Sequence, residues 1–85
     1  MSKRSKAQIQ REAQFQKRFG RRLRELRKNR NLSQEALALA SMLDRTYIGG
    51  VERGERNISL VNICRISEAL GVGARELFAD IEDPK

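Results

Sequence analysis

Apolar residues recur every three or four positions through the N-terminal part of this 85-residue chain. Phe15, Phe19, Leu23 and Leu26 are separated by four, four and three residues, a spacing that places them on one side of an α-helix. Elsewhere in the chain, apolar and polar residues do not alternate as they do in half-buried strands, and the one proline is Pro84. The pattern predicts an all-α protein.

Capping residues divide the chain into five predicted helices. Ser and Asp are suited to helix N-termini and Gly to C-termini, and such residues recur at the ends of the periodic segments. Within the first helix, Gly20 is expected to bend or break the helix. In the fourth, Leu60 and Cys64 are expected to share the inward face with the aliphatic residues. The predicted helices run from about Lys6 to Asn29, Gln34 to Ser41, Asp44 to Gly54, Ser59 to Gly71, and Ala74 to Ala79.

The composition excludes several classes of site. With one cysteine, Cys64, the chain has neither an intrachain disulfide nor a cysteine-rich zinc site, and without histidine it has no Ser-His triad. Neither an enzyme nor a cofactor is therefore expected. The first residues lack the apolar core of a signal peptide, and no long apolar run follows, so we expect a soluble, cytoplasmic protein.

Positive charge is concentrated at the N-terminus. Residues 1–30 contain twelve Lys/Arg and two Glu, whereas residues 31–85 contain six Lys/Arg and nine Asp/Glu. This asymmetry favours a polyanionic partner, with nucleic acid the first candidate and an anionic membrane surface the second. A third interpretation is a charged helix face that only promotes solubility.

The second and third predicted helices have the features of a helix-turn-helix. They are short and separated by a turn of three or four residues, and Ala38 supplies the small residue that a close helix crossing needs. Apolar residues suited to fastening the pair to a core are Leu37, Leu43, Ile48 and Val51. The outward face of the third helix is expected to carry Asp44, Arg45, Thr46 and the pair Gly49 and Gly50.

The segment from Leu32 to Phe78 resembles the Xre-type helix-turn-helix family, which includes the Cro and cI phage repressors. Within it, the block LDRTYIGGVERGERNISL resembles the controller proteins of bacterial restriction–modification systems. The resemblance extends from Phe19 to Phe78. It implies a compact five-helix bundle that binds a palindromic or pseudo-palindromic double-stranded DNA operator as a homodimer. It further implies a transcriptional regulator, with RNA polymerase as another partner and no membrane partner.

The resemblance also assigns roles to individual residues. Those at the start of the third helix would read bases, because Arg can bridge guanine O6 and N7 and Thr can contact a thymine methyl. Residues around the start of the second helix and after the third would bind the DNA backbone. Arg27 is also expected to pair with Glu52. The implied base-reading residues are Arg45, Thr46, Tyr47 and Gly49, and the implied backbone-binding residues are Ser33, Gln34, Arg27, Arg53, Arg56 and Asn57.

Two residues depart from the family pattern. Met42 occupies a turn position where the family usually has glycine, so a left-handed backbone there would be strained. Gly49 occupies a position where related proteins usually carry a polar side chain. With Gly50 it places two glycines in one helix, each costing about 1 kcal/mol relative to alanine. Loss of both side chains would let the backbone approach DNA closely or leave room for neighbouring side chains.

The expected organisation is a basic, helical N-terminal extension (residues 1–18), a DNA-binding domain (19–80) and an acidic tail (81–85). The extension could track DNA or RNA, contribute to dimerisation or simply be solvated. A dimer surface is expected on the fourth and fifth helices, at Val61, Phe78 and Ile81. Two alternatives remain open: a phage-type repressor or antitoxin-like autoregulator, and a protein-interaction module whose basic helix binds nucleic acid or membranes non-specifically.

Overall fold

A computed structural model describes residues 3–82 of the chain. Within this range the chain is helical, with no strand, and the helices follow the order expected from the sequence. The elements are α1 (Lys6–Asn29), α2 (Gln34–Ser41), α3 (Arg45–Glu52), α4 (Leu60–Leu70) and α5 (Ala74–Leu77). α5 therefore ends two residues before the expected Ala79. Residues 83–85 of the expected acidic tail lie outside the described range.

Serine side chains cap three of the helices. Ser33 Oγ accepts a hydrogen bond from the backbone amide of Ala36 at 3.0 Å, and Ser59 Oγ accepts one from Asn62 at 3.2 Å. α1 begins with a reciprocal pair, because Ser5 Oγ accepts from the Gln8 amide while the Gln8 side chain accepts from the Ser5 amide. Asp44 lies at the N-terminus of α3 but makes no side-chain capping bond. The helix boundaries are thus set mainly by local polar chemistry.

Each helix contributes one large side chain that is completely buried in the core. These side chains meet in a single cluster, and the residues predicted to fasten the helix pair, Leu37, Ile48 and Val51, are part of it. Burial of each such side chain stabilises the fold by about 1.5–3 kcal/mol. The five are Leu23, Leu37, Ile48, Ile66 and Leu77.

α1 crosses α3 at very short distance, and Gly20 makes this possible. A Cβ atom at Gly20 would lie 2.2 Å from the backbone oxygen of Val51 and 2.6 Å from that of Glu52. α1 continues through Gly20 as one helix, so the expectation of a bend or break as the role of this glycine is replaced by close backbone approach. The expected boundary between residues 18 and 19 falls inside the same helix.

Two arginines of α1 and its C-cap residue, Arg30, bind the C-terminal part of the chain. Arg30 Nε donates to the carbonyl of Leu70, the last residue of α4, at 2.5 Å, and Arg22 Nε donates to Glu76 in α5 at 2.9 Å. Arg18 Nη1 donates to the carbonyl of Ile81 at 3.4 Å. Cations are favourable at helix C-termini because the carbonyls there lack helical partners. Part of the N-terminal positive charge therefore stabilises the fold by binding backbone carbonyls of the C-terminal segment.

Two predicted core positions on α4 are wrong. Cys64 is exposed, and Leu60 keeps 74% of its surface accessible. The inward side of α4 is narrower than expected and consists of Ile63, Ile66, Ser67 and Leu70. Cys64 follows Ile63 by one residue, a turn of about 100°, and so points away from this side. Leu60 starts the helix beyond the edge of the core.

Candidate nucleic-acid interface

The turn between α2 and α3 contains a left-handed residue. Met42 has φ 60° and ψ 39°, the conformation in which a non-glycine residue is strained, and its side chain is 82% exposed. The next amide, of Leu43, bonds back to the carbonyl of Ala38 at 2.9 Å. This bond closes α2 and turns the chain into α3 within three residues. The strain expected at Met42 from the sequence therefore applies.

Two of the predicted base-reading residues project into solvent from the first turn of α3. Arg45 and Thr46 are both exposed. Arg45 Nε lies 3.8 Å from Glu35 Oε1 of α2, but 58% of the Arg45 side chain remains accessible. So weak an exposed pair leaves the guanidinium available to a guanine in the major groove.

Tyr47 is held in place rather than free. The hydroxyl of Tyr47 accepts a hydrogen bond from the Asn62 amide group at 3.2 Å, and the Arg56 guanidinium lies 5.8 Å from the centre of its ring. The ring is half-buried. These contacts connect α3 to the following loop and to α4, and they orient the ring at the edge of the exposed surface. The sequence does not predict a role for Asn62 in this interface, because no local pattern links it to Tyr47.

The glycine pair of α3 is buried, contrary to the outward face expected for it. A Cβ atom at Gly49 would lie 3.1 Å from Arg53 Nη1 and 3.5 Å from Gln34 Oε1. A Cβ at Gly50 would lie 2.9 Å from Arg56 Cγ. The two glycines are thus covered by side chains of this same chain, chiefly the two arginines. We call this arrangement of Gly49 and Gly50 beneath Arg53 and Arg56 the arginine seat.

A buried ion pair joins α1 to the end of α3. Arg27, only 7% exposed, donates from Nε to Glu52 Oε2 at 2.6 Å and from Nη2 to Glu52 Oε1 at 3.0 Å. Its Nη1 donates to the Leu32 carbonyl at 2.7 Å. The hydrogen bond with Glu52 raises the pKa of Arg27 against the opposing effect of burial. The expected Arg27–Glu52 pair is present, and the structure places Arg27 inside the protein.

Gln34 joins this ion pair from the N-terminus of α2. Its Nε2 donates to Glu52 Oε1 at 3.0 Å, a link that sequence spacing did not reveal. Ser33, directly before it, is exposed and caps the helix. An N-terminus fixed in this way presents backbone N–H groups, which are suited to a phosphate.

Three polar residues predicted to bind the DNA backbone follow α3 and are exposed. Arg53 lies next to Glu55, with 3.2 Å between Nε and Oε1, and Arg56 and Asn57 occupy the loop beyond Gly54. Gly54 takes φ 77°, which turns the chain away from the helix axis. Arg53 and Arg56 remain beside the last turn of α3 because of the arginine seat.

The residues predicted for a dimer surface lie on α4 and around the end of α5, and two of them line a groove that Arg56 and Asn57 also line. Val61 is 60% exposed, whereas Phe78 packs edge-on against Phe19 with 5.4 Å between ring centres. Phe78 and Ile81 line an apolar groove with Phe15, which Val61 does not line. The structure therefore brings two of the three together and leaves Val61 as a separate exposed residue. Within residues 3–82, none of the helices combines the length and apolar character required of a membrane span.

Comparison with known proteins places this arrangement in a family. Residues 23–77 match the helix-turn-helix family model. The chain is 53% identical over 66 residues to the control protein C.MunI from a Mycoplasma species, covering 76% of this chain and 89% of that protein.

Two solved structures share the fold. The restriction–modification controller protein C.AhdI from Aeromonas hydrophila is 61% identical, with 73% of this chain and 94% of that chain covered and a TM-score of 0.72. The controller protein C.Esp1396I, solved as a tetramer with its natural 35-base-pair operator, is 31% identical, with 79% and 88% covered and a TM-score of 0.71. The chain therefore belongs to the helix-turn-helix family and resembles, within that family, the restriction–modification controller proteins.

Proposed function

We propose that this protein is a transcriptional regulator that binds a specific double-stranded DNA operator. The observation that carries the proposal is the exposure of Arg45 and Thr46 on the first turn of α3, beside the capped N-terminus of α2. In a helix-turn-helix, these are the positions from which side chains reach base edges while the preceding helix contacts the backbone. Arg53, Arg56 and Asn57 would fix the register on the phosphates.

The operator is proposed to be pseudo-palindromic and bound by a homodimer, one α3 per half-site. Val61, Phe78 and Ile81 are the proposed dimer residues, supported by the exposure of Val61 and Phe78. Ile81 is half-buried and lines one groove with Phe78. The controller protein C.Esp1396I was solved as a tetramer on its operator, which supports assembly on DNA for this chain too. Substitution Val61→Asp should then shift the protein toward monomer in sedimentation, whereas Leu39→Asp, at an exposed aliphatic residue of α2, should not.

Within this class, control of a restriction–modification system is the role that similarity to C.MunI and C.AhdI supports. Such a role places the protein in the cytoplasm with the bacterial chromosome and makes RNA polymerase a further proposed partner. A protein-interaction or antitoxin-like module is the less favoured alternative. It predicts no preference among duplex sequences.

The deciding experiment selects binding sites from random duplexes and then measures affinity for the selected site and for a scrambled one. Arg45→Ala should lose about 1–3 kcal/mol of discrimination at one base pair. Arg75→Ala removes another exposed arginine, in α5, and should leave discrimination intact. If the wild-type chain binds selected and scrambled duplexes equally, the regulator proposal fails and the interaction module is supported.

A further inference from the structure

Four basic residues form an exposed row along α1. Lys17, Arg21, Arg24 and Lys28 are separated by four, three and four residues, so they lie on one face of the helix, and all four are exposed. Within the described residues none of them makes a hydrogen bond or an ion pair. We call these four residues the basic row.

Other arginines of α1 and its C-cap make contacts within the fold, whereas the basic row does not. Arg22, Arg27 and Arg30 donate to carbonyls or carboxylates elsewhere in the chain. The two acidic residues of α1 are also occupied, since Glu12 pairs with Arg4 and Glu25 lies 3.8 Å from Arg22. The row is therefore a concentration of uncompensated positive charge. Its four charges repel one another, and no internal contact offsets that cost.

The basic row adjoins the proposed DNA surface. The Cα and Cγ atoms of Lys17 lie 2.8 and 2.6 Å from where a Cβ of Gly54 would be, so α1 touches the turn that ends α3. One turn further along, Gly20 packs on the backbone of Val51 and Glu52. Arg53 and Arg56, proposed to bind phosphates, belong to this same part of the chain. The row thus extends the basic surface of α3 along the side of α1.

We infer that the basic row binds phosphates of the duplex outside the segment contacted by α2 and α3. The inference rests on the proposed function and adds a second, sequence-independent part to the interface. From Lys17 to Lys28 the row is about 16 Å long at 1.5 Å per residue. One DNA strand carries a phosphate about every 3.4 Å along the helix axis, so a row of this length can meet several of them. Backbone contacts of this kind raise affinity without changing sequence preference.

The test compares two variants with equal loss of charge. The row variant is Lys17→Gln, Arg21→Gln, Arg24→Gln and Lys28→Gln. The control variant is Lys3→Gln, Arg11→Gln, Arg65→Gln and Arg75→Gln, which neutralises four exposed basic residues outside the row. Affinity for the selected and the scrambled duplex is measured by fluorescence anisotropy as a function of salt concentration, after circular dichroism has checked folding.

The row variant should bind both duplexes about 10–100-fold more weakly at moderate salt. Its plot of log affinity against log salt should be shallower by about 2–4, since each lost phosphate contact removes about 0.9 from the slope. The preference for the selected duplex should persist. The control variant should keep the wild-type slope to within about one contact. Equal slopes for the two variants would overturn the inference.

Phosphate ethylation interference with the wild-type chain gives an answer that does not depend on the variant's folding. Ethylated phosphates flanking the α2–α3 footprint should weaken binding, and interference confined to that footprint would also overturn the inference. Failure of the proposed function looks different. In that case the wild-type chain shows no preference for the selected duplex, whatever the salt slope.

Discussion

Arg27 and Glu52 form two hydrogen bonds, at 2.6 and 3.0 Å, between the last turn of α1 and the last residue of α3. The guanidinium of Arg27 and the carboxylate of Glu52 are both removed from water, and Gln34 adds a third donor from α2 at 3.0 Å. Three helices therefore meet at one carboxylate. The pair fixes the position of α3 relative to the N-terminus of α2, which is the relationship that a DNA-binding helix pair requires.

Removal of Arg27 should be strongly destabilising. Arg27→Met leaves the buried Glu52 carboxylate without its main partner, and loss of one member of a buried pair costs about 3–5 kcal/mol. The double variant Arg27→Met, Glu52→Leu should be more stable than Arg27→Met alone, because no charge is then left unpaired. Urea unfolding measures both. Arg24→Met, on the exposed side of the same helix, is the control and should change the free energy of unfolding by less than about 0.5 kcal/mol.

The sequence predicts those features of the fold that depend on contacts between residues close together in the chain. Ser33 and Ser59 mark helix starts because a capping bond reaches only three residues along the chain. The inward positions of Leu23 and Ile48 follow from helical periodicity in the same way. The arginine seat and the Gln34–Glu52 bond could not be predicted, since they depend on which side chains fold back over a neighbouring helix. The prediction that Cys64 faces inward is wrong for a related reason, because periodicity does not define how wide the buried face of α4 is.

The same distinction between local and long-range contacts applies to the proposed site. The exposed positions of Arg45 and Thr46 follow from the helix-turn-helix pattern. That pattern does not reveal whether an arginine is free or already engaged inside the protein. Arg27 and Arg24 belong to one helix and one basic segment, yet one is buried on Glu52 and the other is exposed. Total charge cannot separate them.

Gly20 should tolerate no larger residue. An alanine Cβ would lie 2.2 Å from the Val51 oxygen, an atom of helix backbone that cannot move without separating α1 from α3. Gly20→Ala should therefore destabilise the protein by about 1–3 kcal/mol, despite the intrinsic helix preference of alanine. Thermal unfolding is the measurement. Gly49→Ala places the same methyl group in a helix opposite a flexible guanidinium, so it serves as the comparison; equal effects from the two substitutions would contradict backbone crowding at Gly20.

Replacement of Met42 by glycine should stabilise the protein. Its left-handed conformation, with φ 60°, costs a residue with a Cβ about 1–2 kcal/mol, whereas glycine adopts it freely. The side chain is 82% exposed, so little packing is lost on its removal. Met42→Gly should raise the free energy of unfolding by about 0.5–1 kcal/mol after the greater entropy of unfolded glycine is counted. Met42→Ala keeps the Cβ and should give no such gain, which separates backbone strain from the loss of an exposed apolar side chain.

The arginine seat gives the two glycines of α3 different expected roles. At Gly49 an alanine Cβ would meet the mobile end of Arg53, at 3.1 Å, and the guanidinium can move aside. Gly49→Ala should therefore stabilise the free protein by about 0.5–1 kcal/mol through helix propensity. At Gly50 the Cβ would lie 2.9 Å from Arg56 Cγ, nearer the backbone, so the whole side chain must shift away from the Tyr47 ring. Gly50→Ala should be less stable than Gly49→Ala, because the lost cation–π contact offsets the gain.

Measurements of operator binding test whether the arginine seat contributes to DNA affinity. Both substitutions displace an arginine that is proposed to bind phosphate, so each should weaken affinity for the selected duplex. Any gain in the stability of the free protein should therefore not be matched by an equal gain in the stability of the complex. Chemical denaturation and anisotropy titration on the same two variants separate the two effects. A stabilised Gly49→Ala protein with unchanged operator affinity would mean that the position of Arg53 on the glycine is not used in binding. A loss of affinity confined to Gly50→Ala would assign the function of the seat to Arg56 and Tyr47 alone.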